Sequence, residues 1–178
     1  MAKYLLTAAA AALLTTFAGN AGAIAAAPPS GGSADMMPKD RANYMRMASS
    51  SDLYEIQSSQ LAVQRSQSPA VRKFAQMMIE HHTMTSQQMM TAAKAAGANP
   101  PPPQLMPMHA EMIAQLQGAN GTGFDQLYMN QQVQAHKMGL QLHRTYANDG
   151  DTAALQSTAR TVVPIVERHL AAAQQLQR

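Results

Sequence analysis

Apolar and small residues recur at spacings of three and four along four long stretches of the chain. The most regular row is the last: Leu155, Ala159, Val162, Val166, His169, Ala173 and Leu176. That alternation of four-residue and three-residue steps marks one face of an amphipathic helix. A second row runs Val71, Ala75, Met78, His82, Thr85, Met89 and Ala92, and a third runs Met129, Val133, His136, Leu140, His143 and Ala147. The least clean comes first, Tyr44, Met47, Ser51, Glu55, Ser58 and Ala62. Strand-like alternation of β-branched and aromatic residues is missing throughout. The pattern therefore predicts an all-α fold.

Breakers between the rows set the expected boundaries. A first helix is expected from near Asp40 to Gln67, followed by Ser68 as a cap and Pro69 in the first turn of the next. The second should run to about Ala96 and stop at "GANPPPP". A short helical piece fits His109 to Gln117, a long third helix fits Phe124 to Asn148 after "GANGTG", and a fourth fits Thr152 to Gln177 with Asp151 as N-cap. Four helices of about 25 residues, each about 37 Å long, suit a four-helix bundle. The connection between the second and third long helices exceeds the other two, so it is long enough to cross the bundle, and the short helix within it leaves the topology open.

Composition separates this domain from what precedes it. Residues 1–23 read as a secretory signal peptide, with Lys3 ahead of an apolar run and Ala21-Gly22-Ala23 as the cleavage site. Residues 24–39, rich in Pro, Gly, Ser and Ala, read as a flexible linker, and residues 40–178 as the bundle. After cleavage no transmembrane segment is expected, and the expected location is the periplasm or cell envelope. With no cysteine the domain has no disulfide available, so helix packing, a ligand or a partner must stabilise it. A net charge of +3, scattered over 13 basic and 10 acidic residues, excludes a nucleic-acid surface.

Each long helix places a potential ligand within its stripe, which makes Glu55, His82, His136 and His169 the candidate metal site. A buried imidazole or carboxylate needs a partner, because isolation costs several kcal/mol or forces a large pKa shift. A divalent metal, Zn, Fe or Cu, is one such partner, and a hydrogen-bond network is another. Counted from the breakers, Glu55 and His82 are level across the first hairpin, whereas His136 and His169 differ by five residues, about 7.5 Å. That offset predicts strain for one ion reaching both, which a two-metal site, or Gln132 facing His169 with His136 a turn away, would relieve. His81, about 100° round the helix from His82, is expected at the rim, with Glu80 and Glu167 in solvent and His143 satisfied or exposed. The chain carries 15 methionines, most of them suited to filling an irregular core. "MPMH", containing Met106, Met108 and His109, and "MMPKDRANYMRM" from Met36 offer soft donors for an alternative copper-handling role. Neither a nucleophile paired with a base nor a phosphate-cradling loop is present, so a small binding or stress-related protein is expected rather than an enzyme.

Three ordered segments, "FAQMMIEHHTM", "FDQLYMNQQVQAHKMGLQL" and "VVPIVERHLAAAQQL", resemble domain-of-unknown-function family 4142, exported bacterial proteins assigned to the ferritin-like fold. The matching positions are Phe74, Ala75, Met78 and His82, then Phe124, Tyr128, Gln132 and His136, then Pro164, His169 and Leu170. The resemblance covers roughly residues 40–177 and departs at His81, where members usually carry an acid. It implies a ferritin-like four-helix bundle of the periplasm or outer membrane. Di-iron chemistry does not follow, because the Glu-x-x-His pairs such sites require are absent. The partners this reading allows are a metal ion, a second copy of the chain, or another envelope protein; the alternative is a structural or interaction bundle without metal.

Overall fold

The computed structural model describes residues 37–177, and the expected signal peptide and most of the linker lie outside them. Five helices make up the described chain: α1 (Arg41–Arg65), α2 (Pro69–Ala95), α3 (Pro107–Gly118), α4 (Gly121–Asp149) and α5 (Ala153–Leu176). Asp40 starts α1, its Oδ1 accepting the Asn43 N–H at 2.9 Å. Ser68 caps α2 through Val71 N–H, and Pro69, which has no N–H to lose, fills the first turn. Helix α1 ends two residues earlier than expected. Ser66 leaves the helix in an extended conformation and its Oγ accepts the Ser68 N–H, while the residue before Pro69 is kept out of helical geometry.

Three further boundaries differ from expectation, the first being the start of α3 at Pro107 rather than His109. Helix α4 begins at Gly121, three residues early, because "GANGTG" is a tight junction rather than a loop. Gly121 takes φ +55°, a conformation that only glycine adopts without strain, and turns the chain directly into α4. The N-cap of α5 is Thr152, not Asp151. Asp151 instead spans helices: its Oδ1 accepts the Tyr146 hydroxyl at 2.8 Å and its Oδ2 the Arg41 N–H at 3.1 Å.

Pairing along the bundle fixes its topology. At one end Tyr44 of α1 stacks on Tyr146 of α4, with ring centroids 3.7 Å apart. Toward the other end Ser59 of α1 meets the Tyr128 hydroxyl of α4 at 2.8 Å, so the two helices are antiparallel. Helices α2 and α5 are antiparallel as well, since Val71 and Phe74 cluster with Ala173 while Met89 and Ala93 cluster with Leu155 and Ala159. With short turns joining α1 to α2 and α4 to α5, residues 96–120 must return along the length of the bundle. This is the single long crossover of ferritin-like bundles. Helix α3 lies in that crossover against α1 and α4. Arg65 holds its far end by donating to the carbonyls of Leu116 and Gln117, both at 3.0 Å, and to Ala119 and Asn120 beyond.

The interior is layered. An apolar cluster around Phe74, Met78, Phe124, Tyr128 and Ala173 fills one end, and another around Tyr44, Met89, Tyr146, Leu155 and Ala159 fills the other. Between them every long helix contributes polar side chains: Asp52 and Glu55, His82 and Thr85, Gln132 and His136, and His169. Burying a large apolar side chain stabilises by about 1.5–3 kcal/mol. The two apolar ends can therefore carry the fold while the middle layer is given over to polar groups. No helix among the described residues is long and apolar enough to cross a membrane.

Candidate metal centre

His82 of α2, His136 of α4 and His169 of α5 meet in the middle layer, with only 2–6% of each residue exposed. One ring nitrogen of each lies within 4.8 Å of those of the other two. The rings stand 5.3 to 5.6 Å apart, centroid to centroid, and are tilted or edge-on rather than stacked. Imidazole donors about 2.0–2.1 Å from one tetrahedral ion would be about 3.3 Å from each other. Closing on an ion therefore requires a movement of about 1.5 Å at most between any two nitrogens.

The opposite ring edges are already occupied. His82 Nδ1 lies 2.8 Å from Asp52 Oδ1, and His136 Nδ1 lies 2.8 Å from the Gln132 carbonyl oxygen. Carboxylate and carbonyl oxygens only accept, so both Nδ1 atoms carry hydrogen, and in the neutral rings both Nε2 atoms are bare lone pairs. His169 is held differently, with its Nε2 2.7 Å from Nδ1 of His81 and the two rings stacked at 5.0 Å. The remaining atoms, His82 Nε2, His136 Nε2 and His169 Nδ1, are buried and have no hydrogen-bond partner. The arrangement matches metal-binding histidines, whose second nitrogen is tied to a carboxylate or carbonyl that orients the ring and raises its basicity.

Buried acids surround the histidines. Asp52 accepts from His82, from Thr85 Oγ1 at 3.2 Å and from Ser86 Oγ at 2.9 Å. Glu55, 1% exposed, has Oε1 at 3.6 Å from His136 Nδ1 and leaves Oε2 unpartnered. Burial works against charge on His82, but the hydrogen bond and charge of Asp52, with the field of Glu55, outweigh it and raise its pKa. Burial lowers His136 despite Glu55. For His169, burial and then repulsion from His82, His136, His81 and Arg168 press the pKa down to about 2. His136 and His169 are thus neutral at ordinary pH, the form in which imidazole binds a cation.

The fourth expected ligand is placed differently. Glu55 lies beside His136 on the edge away from the bare nitrogens, and it is not among the three grouped residues. The height mismatch expected between His136 and His169 also disappears. From the observed helix ends His136 lies thirteen residues before Asp149 and His169 sixteen after Ala153, about 4.5 Å in rise. Side chains lean toward their own helix N-terminus, so in this antiparallel pair the two rings lean toward each other and close the gap. Gln132 donates from its side-chain amide to Ser58 Oγ at 3.3 Å.

His81 departs from its expected place at the rim: it is half-buried and bonded to His169. Asp52 is not among the expected ligands, although its i, i+3 relation to Glu55 puts both acids on one side of α1. His143 is buried and satisfied by the Tyr44 hydroxyl at 3.0 Å, and Glu80 and Glu167 are exposed. In "MPMH", His109 turns inward to Ser50 Oγ while Met108 is exposed, so that cluster points in two directions. Of the "MMPKDRANYMRM" stretch, Met36 lies outside the described residues and Met45 is buried in the core.

A solved structure of CopM in the Cu(II)-bound form shares the fold with a TM-score of 0.67. The two chains are 16% identical, and the match covers 79% of this chain and 97% of that one. No curated protein matches the chain. The family model described as domain of unknown function DUF4142 matches residues 26–176, and the protein belongs to that family.

Proposed function

We propose that the protein is an exported helical bundle that binds one divalent transition-metal ion through His82, His136 and His169. One observation carries the reading: three buried histidines that offer ring nitrogens within 4.8 Å of one another each keep one nitrogen without a partner, and in the neutral His136 that atom, Nε2, is a lone pair with no donor to satisfy it. An unpaired buried polar atom costs about 1–3 kcal/mol, and a cation at their meeting point removes several such costs at once. Charge favours the same occupant. Among the described residues Asp52 and Glu55 are ion-paired only with histidines, and neither meets a lysine or arginine. Three imidazoles leave a coordination position for water or for a fourth donor.

Imidazole suits Zn(II), Cu(II) and Fe(II) alike. Copper is the first ion to try, since the neighbour sharing this fold binds Cu(II). The signal-peptide character of residues 1–23 supports a place outside the cytoplasm, where such a protein would take up or hold metal rather than transform a substrate. Competition titration of the folded domain tests the reading. Wild type should bind one ion, and His82→Ala, His136→Ala or His169→Ala should each abolish stoichiometric binding. Variants at Met106, Met108 and His109 should bind as wild type does. Loss of binding in the variants at Met106, Met108 and His109 but not in those at His82, His136 and His169 would favour copper handling by the Met106–His109 cluster.

A further inference from the structure

Two of the three histidines have partners that admit one arrangement only, because the Asp52 carboxylate and the Gln132 carbonyl always accept. The third has another imidazole as partner, and imidazole either donates or accepts. His81 is also the one ring of the four that is not buried. We propose that His81 is the positioning residue that switches His169 between a form that rejects a cation and one that binds it. This rests on the metal-binding reading.

Both forms keep the 2.7 Å bond between His81 Nδ1 and His169 Nε2. In the first, His81 Nδ1–H donates to His169 Nε2, and the hydrogen of His169 sits on Nδ1. That N–H occupies the one His169 nitrogen left without a partner, so the ring offers no lone pair to a cation. In the second, His169 Nε2–H donates to His81 Nδ1, leaving Nδ1 of His169 bare for the ion. Between them His169 Nδ1 gives a proton to water, the bridging proton passes from His81 Nδ1 to His169 Nε2, and His81 takes a proton from water on its own Nε2. Both rings stay neutral and no hydrogen bond is lost. The stacked geometry, with 13° between the rings, is the same in either form.

Long-range proton–nitrogen NMR on nitrogen-labelled protein reads the tautomers directly, before and after one equivalent of Zn(II). His169 should carry its hydrogen on Nδ1 in the metal-free protein and on Nε2 with zinc, while His82 and His136 keep Nδ1–H throughout. His81→Phe retains the stacked ring without a nitrogen and should lower zinc affinity about tenfold or more. His81→Asn, whose amide reaches where Nδ1 stands and serves as donor or acceptor, should restore affinity to within a few fold. An unchanged His169 tautomer on zinc binding, or a Phe variant that binds as tightly as wild type, would overturn the switch and leave the three-histidine site standing. A wild-type protein that ignores zinc, copper(II) and iron(II) would remove the site itself and the switch with it. Should the Phe variant fail to fold, the wild-type tautomers still decide.

Discussion

At the scale of single residues, the chemistry depends on which nitrogen of each ring is occupied. Asp52 orients His82 and raises its basicity, so Asp52→Asn, which keeps an acceptor but loses the charge, should weaken metal affinity roughly 10–100-fold. Chelator competition measures this, and an unchanged affinity would mean that Asp52 only fills space. His143 provides a second test, independent of metal. Burial holds its pKa down to about 4 against an ordinary 6.5. Between those values the unfolded chain binds a proton that the folded chain refuses, so this contribution is present above 6.5 and is lost as pH falls toward 4. His136 and His169, also lowered, act in the same direction. His82, raised, acts oppositely, its stabilisation being present below the unfolded value and lost as pH rises through the folded one. Denaturant melts of the metal-free domain should show stability falling on acidification. His143→Asn should reduce the slope by about 1.4 kcal/mol per pH unit, the effect of one proton. An identical slope in the variant would contradict the assignment. Helical phase alone made His82, His136 and His169 legible, because each lies in the centre of an apolar row. It did not reveal His81 or Asp52. A helix in a four-helix bundle faces two neighbours roughly at right angles, so residues about 100° apart can each face one: His82 turns to α1 and His81 to α5.

At the scale of elements, the breakers announced most helix ends, while side chains reaching between helices set the rest. Asp151 looked like a local cap because it precedes a helical run, yet it ties Tyr146 of α4 to the start of α1. Nothing in the spacing around Asp151 shows that distant partner. Arg65 is a parallel case: it gathers the end of α3 and the junction to α4, and its guanidinium lies 5.1 Å over the Phe124 ring. Hydrogen bonds to a charged group contribute about 1.5–3 kcal/mol. Arg65→Ala should therefore destabilise the domain by about that much in a denaturant melt and speed amide exchange through residues 116–121, with the centres of α2 and α5 still protected. Unaltered exchange there would show that the crossover is held by apolar packing alone. The height of His136 against His169 departs from expectation for a related reason. Counting residues from the turn locates Cα atoms, whereas the meeting point depends on how side chains lean in an antiparallel pair.

At the scale of the whole molecule, the all-α class followed from periodicity, but the route of the crossover did not. A linker of the length of residues 96–120 could return along the bundle or stay at one end, and the antiparallel pairing of α1 with α4 decides between them. That pairing sets α4 beside α1 and α5 beside α2, and places three histidines from distant parts of the chain in one layer between two apolar clusters. The fold then stands apart from the site, with the apolar ends holding the bundle while the middle remains available to a ligand. Because a ligand that binds only the folded state stabilises by mass action, free ion at a hundredfold over its Kd should add about 2.7 kcal/mol. The decisive measurement is the unfolding midpoint of chelator-treated protein at fixed pH with and without added Zn(II), Cu(II) or Fe(II), in wild type and in the His82→Ala, His169→Ala double variant. A rise in midpoint with at least one of these ions in wild type, and none in the double variant, is the predicted result. A wild-type midpoint that stays put with all three ions would contradict a metal site in the bundle core.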